Sequence, residues 1–123
     1  MPLGGCEELM KINKPWGTYE IILSDINYQV KKLVINPAQS ISLQSHIHRS
    51  EHWIVVSGIA NVILGNQSNQ MEVQTGEHIF IGKEEIHRME NKSNVKLVVI
   101  EIQQGVYLGE DDITRFSDRY CRT

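Results

Sequence analysis

One stretch of the chain predicts a β-structure that carries metal-binding side chains, SLQSHIHRSEHWIVVSG at residues 42–58. Side chains on a strand point alternately to its two faces. A strand over Ser42–His48 would therefore place a polar set on one face, namely Ser42, Gln44, His46 and His48. A tight turn at Arg49–Ser50 would then bring Glu51 beside His48. The stretch predicts a cluster of nitrogen and oxygen ligands on a sheet.

Short apolar runs of the same kind recur along the chain. Nine strands are predicted, over Tyr19–Leu23, Tyr28–Ile35, Ser42–His48, Trp53–Val56, Ala60–Leu64, Met71–Gln74, Ile79–Ile81, Ile86–Glu90 and Val95–Gln103. Evenly spaced short strands separated by turn residues are typical of β-sandwiches and small barrels. The region between Tyr28 and Gln103 shows no helical periodicity over ten or more residues, so we expect an all-β fold.

The C-terminal part of the chain has a different pattern. Between Glu110 and Arg119 the residues are mostly polar, and Ile113 and Phe116 stand three apart. That spacing suits one or two helical turns, and acids at residues 110–112 suit the start of a helix. We therefore expect a short C-terminal helical turn that begins with solvated acids.

Length and composition limit the possible classes of protein. With 123 residues, the chain is expected to form a single domain over residues 1–123. No run of 18 apolar residues is present, which predicts no transmembrane helix and no membrane partner. The net charge of −3 argues against a nucleic-acid partner, since such proteins usually have a basic balance.

The cysteines and the N-terminus indicate a cytoplasmic protein. Cys6 and Cys121 form neither a disulfide framework nor a zinc-thiolate spacing, although one disulfide between the two ends is a possible pairing. The first ten residues lack the basic start and apolar stretch of a secretory signal. Two free thiols then fit the reducing cytosol.

All five histidines fall between His46 and His87. Imidazole suits divalent transition metals, and a carboxylate in the same set widens the choice toward manganese. His52 falls on the opposite strand face from Glu51, and we expect it and His78 to be ordinary surface or hydrogen-bonded residues. His87 follows the turn at residues 82–85, so only the fold can bring it to the other ligands.

These residues resemble the two sequence motifs of the cupin superfamily. In the first motif, His46-Ile47-His48 is followed by Glu51 and, after six residues, by Gly58. In the second, Gly76 is followed by Gly82, His87 and Asn91. The resemblance implies a cupin jelly-roll barrel of two antiparallel sheets.

The motifs depart from the superfamily pattern at several positions. Two residues instead of three or four separate His48 from Glu51, so the third ligand is Glu51 or His52, and the spacing to Gly58 favours Glu51. Ser40 and Glu84 stand where these motifs have Gly, and Gly82 stands where they have Pro, while Ala38 stands where Gly is usual in the narrower family described next.

Longer strings resemble a narrower family, the type II mannose-6-phosphate isomerase domain. They are KPWGTY at residues 14–19, LQSHIHRSEHW at residues 43–53 and IEIQQGVYLGEDDI at residues 100–113. Arg115, Asp118 and Tyr120 follow in register, and Cys121 stands where Gly is usual. In that family the domain often follows a mannose-1-phosphate guanylyltransferase domain, for which this chain has no room.

The resemblance implies an aldose–ketose isomerase that interconverts mannose 6-phosphate and fructose 6-phosphate, and a homodimer. It implies a divalent metal ion, Zn, Co, Mn or Ni, that polarises the carbonyl of the sugar-phosphate substrate. The ligands implied for that ion are His46, His48, Glu51 and His87, with Gln44 as a fifth candidate.

Two further roles follow from the reaction. A base must move a proton between two carbons, and the candidates are Glu101 and Lys32, whose side chain could point inward. Cations must hold the phosphate, and the candidates are Arg49, Arg88 and Lys14. In a regular strand Arg88 would face away from His87, which argues against a phosphate-binding role for Arg88.

A second hypothesis belongs to a different class. The chain could be a cupin without catalytic activity that binds a sugar phosphate or a nucleotide sugar and partners a separate guanylyltransferase. A third, another cupin enzyme such as a dioxygenase, is disfavoured by the KPWG and GEDDI strings.

Overall fold

A computed structural model of the chain describes residues 10–65 and 70–117, which form eleven strands and no helix. The strands are β1 Lys11–Lys14, β2 Gly17–Asp25, β3 Tyr28–Ile35, β4 Leu43–Ser45, β5 Arg49–Ser57, β6 Ala60–Leu64, β7 Gln70–Val73, β8 His78–Ile81, β9 His87–Glu90, β10 Leu97–Gly105 and β11 Thr114–Ser117. The all-β prediction is confirmed. Within these residues no helical segment could span a bilayer. Both cysteines and residues 118–122 lie outside the described part.

The strands pair into two antiparallel sheets. One has the order β1-β2-β3-β10-β5-β8 and the other the order β11-β4-β9-β6-β7. Strands distant in sequence, such as β3 and β10, are neighbours, as in a jelly roll. Side chains from both sheets form one apolar core, including Trp53 and Leu97 from the first sheet and Val62 and Met89 from the second.

The inward faces of β3 and β10 change from apolar to polar along their length. In β10, Leu97 and Val99 are buried in the core, while Glu101 and Gln103 continue the same face. In β3, Leu33 and Ile35 are followed in the opposite direction by Lys31 and Gln29, which are also buried. Because the two strands are antiparallel neighbours, their polar halves coincide. One end of the barrel is thus an apolar core and the other a polar interior.

The predicted strand over Ser42–His48 is too long. Strand β4 ends at Ser45, residues 46–48 form a bend, and Arg49 already belongs to β5, so no turn lies at Arg49–Ser50. The cause is a carboxylate distant in sequence. The Asp112 carboxylate accepts hydrogen bonds from the backbone N–H groups of Ile47 and His48, both at 2.9 Å. These two N–H groups therefore do not pair with a neighbouring strand.

The predicted C-terminal helical turn is also wrong. Residues 110 and 111 form a turn in which the Asp112 N–H donates to the Gly109 carbonyl at 3.1 Å. The chain then continues as β11, which pairs with β4 at the edge of the second sheet. Pairing with a strand distant in sequence has overridden a weak local preference for helix.

Asn91, the last residue of the second motif, has a structural role. Its side chain is fully buried, and its amide donates to the carbonyls of Ile35 at 2.9 Å and Val95 at 2.7 Å. Its carbonyl oxygen accepts the Ser93 N–H at 3.0 Å. Asn91 therefore satisfies backbone groups of a buried loop and is not part of the polar interior.

Two replacements of glycine fall where glycine is conformationally preferred. Ala38 and Glu84 have φ angles of 64° and 65°, in the left-handed region. A Cβ atom makes that region unfavourable, and glycine carries no such cost. Both replacements therefore place a strained residue at a turn.

We expect Ala38→Gly to raise the free energy of unfolding by about 0.5 to 1 kcal/mol, because the relief of strain exceeds the added entropy of the unfolded chain. Urea unfolding of the metal-free protein measures this change. Lys92→Gly is the control, since Lys92 is an exposed loop residue without a positive φ, and it should lower stability slightly. Equal changes in the free energy of unfolding for the two substitutions would contradict backbone strain at Ala38.

Candidate metal centre

Three buried side chains converge at the polar end of the barrel. His46 directly follows β4, Glu51 lies on β5, and His87 opens β9. Ligand atoms of the three residues lie within 4.8 Å of one another. Their relative exposures are 3%, 1% and 1%, so bulk water is excluded from the cluster.

Backbone carbonyls orient both imidazoles. The Nδ1–H of His46 donates to the Asp112 carbonyl at 2.7 Å, and that of His87 donates to the Glu85 carbonyl at 2.8 Å. Because Nδ1 carries the proton in each neutral ring, Nε2 has a free lone pair, and this lone pair faces the interior of the cluster. Burial lowers the pKa of His46 to about 4, helped by Arg49, and burial also lowers the pKa of His87. Both rings are thus neutral, as metal ligation requires.

The donor set fits a divalent metal ion. The Nε2 of His46 lies 3.3 Å from one Glu51 oxygen, and the Nε2 of His87 lies 3.9 Å from the other. Three electron-pair donors thus converge, and a positive charge among them is favourable. The Nε2 of His87 is buried and has no hydrogen-bond partner. Three protein ligands leave further positions for substrate, as in catalytic metal sites.

Arg49 provides a positive charge to the same cluster. Its Nε donates to Glu51 Oε2 at 2.8 Å, and its Nη2 lies 2.8 Å from the same oxygen. The Nη2 also lies 3.3 Å from His46 Nε2. The residue is 6% exposed, so it forms a buried ion pair. These contacts favour a role within the cluster over the phosphate-binding role predicted for Arg49.

We expect Arg49→Gln to raise the affinity for Co²⁺ by about tenfold or more, since the guanidinium no longer competes for Glu51. In EDTA, the same substitution should lower the free energy of unfolding by about 3 kcal/mol, because Glu51 becomes an unpaired buried charge. Cobalt absorbance and urea unfolding measure the two effects. Weaker cobalt binding by the variant would contradict competition between Arg49 and the metal for Glu51. It would indicate instead that Arg49 holds the ligand side chains in position.

Glu101 lies beside the cluster. The Trp53 Nε1–H donates to Glu51 Oε1 and to Glu101 Oε2, at 3.0 Å in each case. The Gln103 amide donates to Glu101 Oε1 at 2.7 Å. Burial raises the pKa of Glu101 to about 7, and the negative charge of Glu51 contributes. The Glu101 carboxyl group is therefore held in position and poised to exchange a proton near neutral pH.

A pocket adjoins this cluster. Two of its lining residues reach the cluster: Arg49 contacts Glu51 directly, and Glu101 shares the Trp53 N–H with Glu51. Its other polar lining residues include Lys14, Lys31, Gln44, Glu110 and Arg115. A ligand in the pocket would thus lie among basic side chains and beside two residues that adjoin the candidate metal ligands.

Comparison of the sequence with known protein families identifies the family of this chain. The profile of the family described as "Mannose-6-phosphate isomerase C-terminal" matches residues 5–118. The chain belongs to this family. The cluster of His46, Glu51 and His87 lies inside the cupin barrel of this chain.

Several curated proteins resemble this isomerase C-terminal domain over most of its length. The xanthan biosynthesis protein XanB of Xanthomonas campestris is 44% identical over 113 residues, which are 92% of this chain and 24% of XanB. The alginate biosynthesis protein AlgA of Pseudomonas putida is 42% identical, over 93% of this chain and 23% of AlgA. The mannose-1-phosphate guanylyltransferase of Salmonella montevideo is 40% identical, over 91% and 23%. The chain spans about a quarter of the length of these relatives.

Solved structures confirm the cupin-type fold. The capsular polysaccharide assembling protein CapF of Staphylococcus aureus matches 90% of this isomerase C-terminal domain and 33% of its own chain, with a TM-score of 0.79 and 17% identity. An oxalate decarboxylase of Lactobacillus farciminis matches 88% of this chain and 33% of its own, with a TM-score of 0.75 and 19% identity. At these identities the similarity concerns the fold.

The structure of this isomerase C-terminal domain places His48 away from the cluster. His48 is exposed, and its ring packs against Tyr107 with centroids 5.9 Å apart. His46 and His48 do not share a strand face as predicted, because β4 ends at Ser45 and the chain bends before β5. Gln44 does line the pocket, and its amide donates to the Ser42 hydroxyl at 2.9 Å.

Two predicted basic residues face outward in this family member. Lys32 does not point inward as proposed, since the inward positions of β3 are the odd-numbered ones. Its side chain is 42% exposed and lies 4.0 Å from Glu20. Arg88 faces away from His87, as strand parity predicts, and its Nη2 lies 3.2 Å from the Ser117 hydroxyl. Lys14 lines the pocket.

Three residues at this site were not predicted from the sequence. Lys31 and Arg115 line the pocket, and Asp112 orients both His46 and the bend that follows it. Asp112 and Arg115 stood in or beside the GEDDI string, which indicated their importance without their roles. Lys31 stands opposite Glu101 in the sheet, a register that local sequence does not reveal.

Proposed function

We propose that the chain is a divalent-metal-dependent isomerase that interconverts mannose 6-phosphate and fructose 6-phosphate. One observation carries the proposal. The cluster of His46, Glu51 and His87 lies beside the buried carboxyl group of Glu101, and Glu101 in turn lines a pocket that also holds basic side chains. That arrangement suits a ligand with a carbonyl group at one end and a phosphate at the other.

Family membership supports this assignment of the substrate. The family is named after mannose-6-phosphate isomerase. By their names, the relatives described above act in xanthan and alginate biosynthesis or as a mannose-1-phosphate guanylyltransferase. All these names concern polysaccharides or mannose phosphates. Because the chain matches only about a quarter of each relative, the isomerase activity itself requires a direct assay.

The reaction moves one hydrogen from C2 to C1 of the sugar and one proton from the C2 oxygen to the C1 oxygen. Negative charge develops on these oxygens when the carbon-bound proton leaves. When held by His46, Glu51 and His87, a divalent cation supplies Lewis-acid polarisation of the sugar carbonyl. Arg49, as a buried cation of the same cluster, adds a hydrogen-bond donor near the oxygens.

Glu101 is the proposed base. Its carboxylate accepts the proton from C2 and returns it to C1, so the group ends the cycle in its starting state. Trp53 and Gln103 hold its two oxygens, which limits the carboxylate to one orientation. Their N–H donors also stabilise the ionised form that must take the proton.

The direct test uses the purified chain loaded in turn with Zn²⁺, Co²⁺, Mn²⁺ and Ni²⁺. Mannose 6-phosphate is added and formation of fructose 6-phosphate is followed, with an EDTA-treated sample as the control. We expect turnover with at least one metal and none in EDTA. Binding of mannose 6-phosphate without turnover under all four conditions would overturn the enzyme assignment and favour a non-catalytic cupin that partners a separate guanylyltransferase.

A further inference from the structure

We propose that the pocket contains an anion subsite built from Lys31, Lys14 and Arg115, in which the Glu110 carboxylate takes the position of a phosphomonoester until one binds. The proposal rests on the proposed function for its choice of ligand and deepens it. It reassigns phosphate recognition from the predicted Arg49 and Arg88 to Lys31 and Arg115, together with the predicted Lys14, all of which line the pocket.

Lys31 is a buried cation directed into the pocket. Its side chain is 4% exposed, and its Nζ lies 4.4 Å from the centroid of the Tyr19 ring. A lysine rarely occupies such a position unless an anion pairs with it. The anion is the carboxylate of Glu110, which accepts a hydrogen bond from the ammonium group.

Glu110 is held mainly by charge. Its side chain is 53% exposed, although its partner is buried. Burial alone would raise the pKa of Glu110, but Lys31, then Arg49 and Lys14, outweigh that effect and lower it. The residue lies in the turn at residues 110–111, which joins two strands without itself belonging to a sheet. A carboxylate on a turn can leave a lysine more readily than one on a strand.

Lys14 and Arg115 complete the positive environment. Lys14 lines the same pocket, and its Nζ lies 5.9 Å from the Tyr19 ring that also contacts Lys31. Arg115 lines the pocket from β11, opposite Gln44 in the sheet. Its Nε is buried and has no hydrogen-bond partner. An unsatisfied guanidinium donor is costly to bury, and a phosphate oxygen would satisfy it.

The position of Glu110 at the pocket allows its displacement. The pocket is open to solvent, and its empty space, including that solvent, is about 520 Å³. A phosphate that reaches Lys31 there competes with the Glu110 carboxylate for the same ammonium group. Glu110 is the half-exposed acid among the side chains that line the pocket, and a phosphate replaces its negative charge on Lys31.

The test measures binding of inorganic phosphate by the metal-free full chain at constant ionic strength, using calorimetry. Glu110→Gln should tighten the dissociation constant by about fivefold or more, because the subsite is no longer occupied by the protein's own carboxylate. Lys31→Met should weaken binding by about tenfold or more, since it removes the central cation but keeps an apolar chain against Tyr19.

Asp111→Asn is the matched control. It removes the same charge from the same turn, but the Asp111 carboxylate accepts a hydrogen bond from Tyr107 and not from Lys31. Its phosphate affinity should stay within about twofold of the original. Equal changes in phosphate affinity for Glu110→Gln and Asp111→Asn would show that only the net charge of the chain matters, and would overturn the proposal. Weaker binding by Glu110→Gln would overturn it as well.

Arg115→Gln gives a second variant in case Lys31→Met does not fold. We expect it to weaken phosphate binding by about fivefold or more. Unchanged affinity in every folded variant that lacks one of these cations would also overturn the proposal. The measurement needs neither metal nor turnover. A chain that binds phosphate as described but does not isomerise mannose 6-phosphate would refute the proposed enzyme activity and leave the subsite intact.

Discussion

Glu101→Gln is expected to lower kcat for the conversion of mannose 6-phosphate by about 10³-fold, the range typical of a lost general base. The amide has nearly the same shape as the carboxyl group but cannot accept the proton from C2. Its amide can still contact Trp53 or Gln103, so the fold should persist. Steady-state kinetics of the metal-loaded variant measures the effect, and calorimetry with the same metal checks that the metal still binds.

Lys32→Gln is the matched control for this experiment. Lys32 is the alternative base from the sequence, but its side chain points away from the pocket. We expect kcat to remain within about twofold, since exposed surface substitutions have small effects. A large loss of kcat in Lys32→Gln, or an unchanged kcat in Glu101→Gln, would contradict the assignment. Loss of metal binding in Glu101→Gln would show that Glu101 supports the ligands.

His87→Gln is expected to lower the affinity for Co²⁺ or Zn²⁺ by about 100-fold or more and to abolish turnover. A metal site with three protein ligands loses one of them, and even residues that merely orient ligands contribute 10-fold to 100-fold. The Nε2 of His87 has no hydrogen-bond partner without metal, so little hydrogen-bond energy is lost from the metal-free fold. Titration followed by cobalt absorbance measures the affinity.

His48→Gln and His52→Gln test the alternative ligands. Both residues were considered from the sequence, but His48 is exposed and the ring of His52 packs on Phe80 at the outer face, 4.8 Å between centroids. We expect each variant to retain metal affinity within about threefold. A 100-fold loss in His48→Gln would show that the bend at residues 46–48 rearranges when metal binds.

Strand positions were predictable where apolar residues are clearly bounded by turn residues. Tyr28–Ile35 and Ala60–Leu64 match the observed β3 and β6 in both bounds. The spacing of the cupin motifs implied His46, Glu51 and His87 as ligands, and the structure brings these three residues together. In these cases the relevant information lies within a few residues, in alternation and in motif spacing.

The remaining features depend on contacts between distant parts of the chain. The bend after Ser45 is caused by Asp112, more than sixty residues away. Lys31 and Lys32 are adjacent, and only the register with β10 decides which of them faces Glu101. Strand β11 forms because β4 offers a free edge. Local periodicity contains none of this information.

The position of Asp112 also has a consequence during protein synthesis. This residue orients His46 through its carbonyl and holds the backbone of Ile47 and His48 through its carboxylate. A ribosome makes His46 well before Asp112, so a nascent chain carries the histidine without its orienting partner. The arrangement of the candidate ligands described here therefore belongs to the completed chain, and a chain truncated before Asp112 would lack the contacts that orient His46.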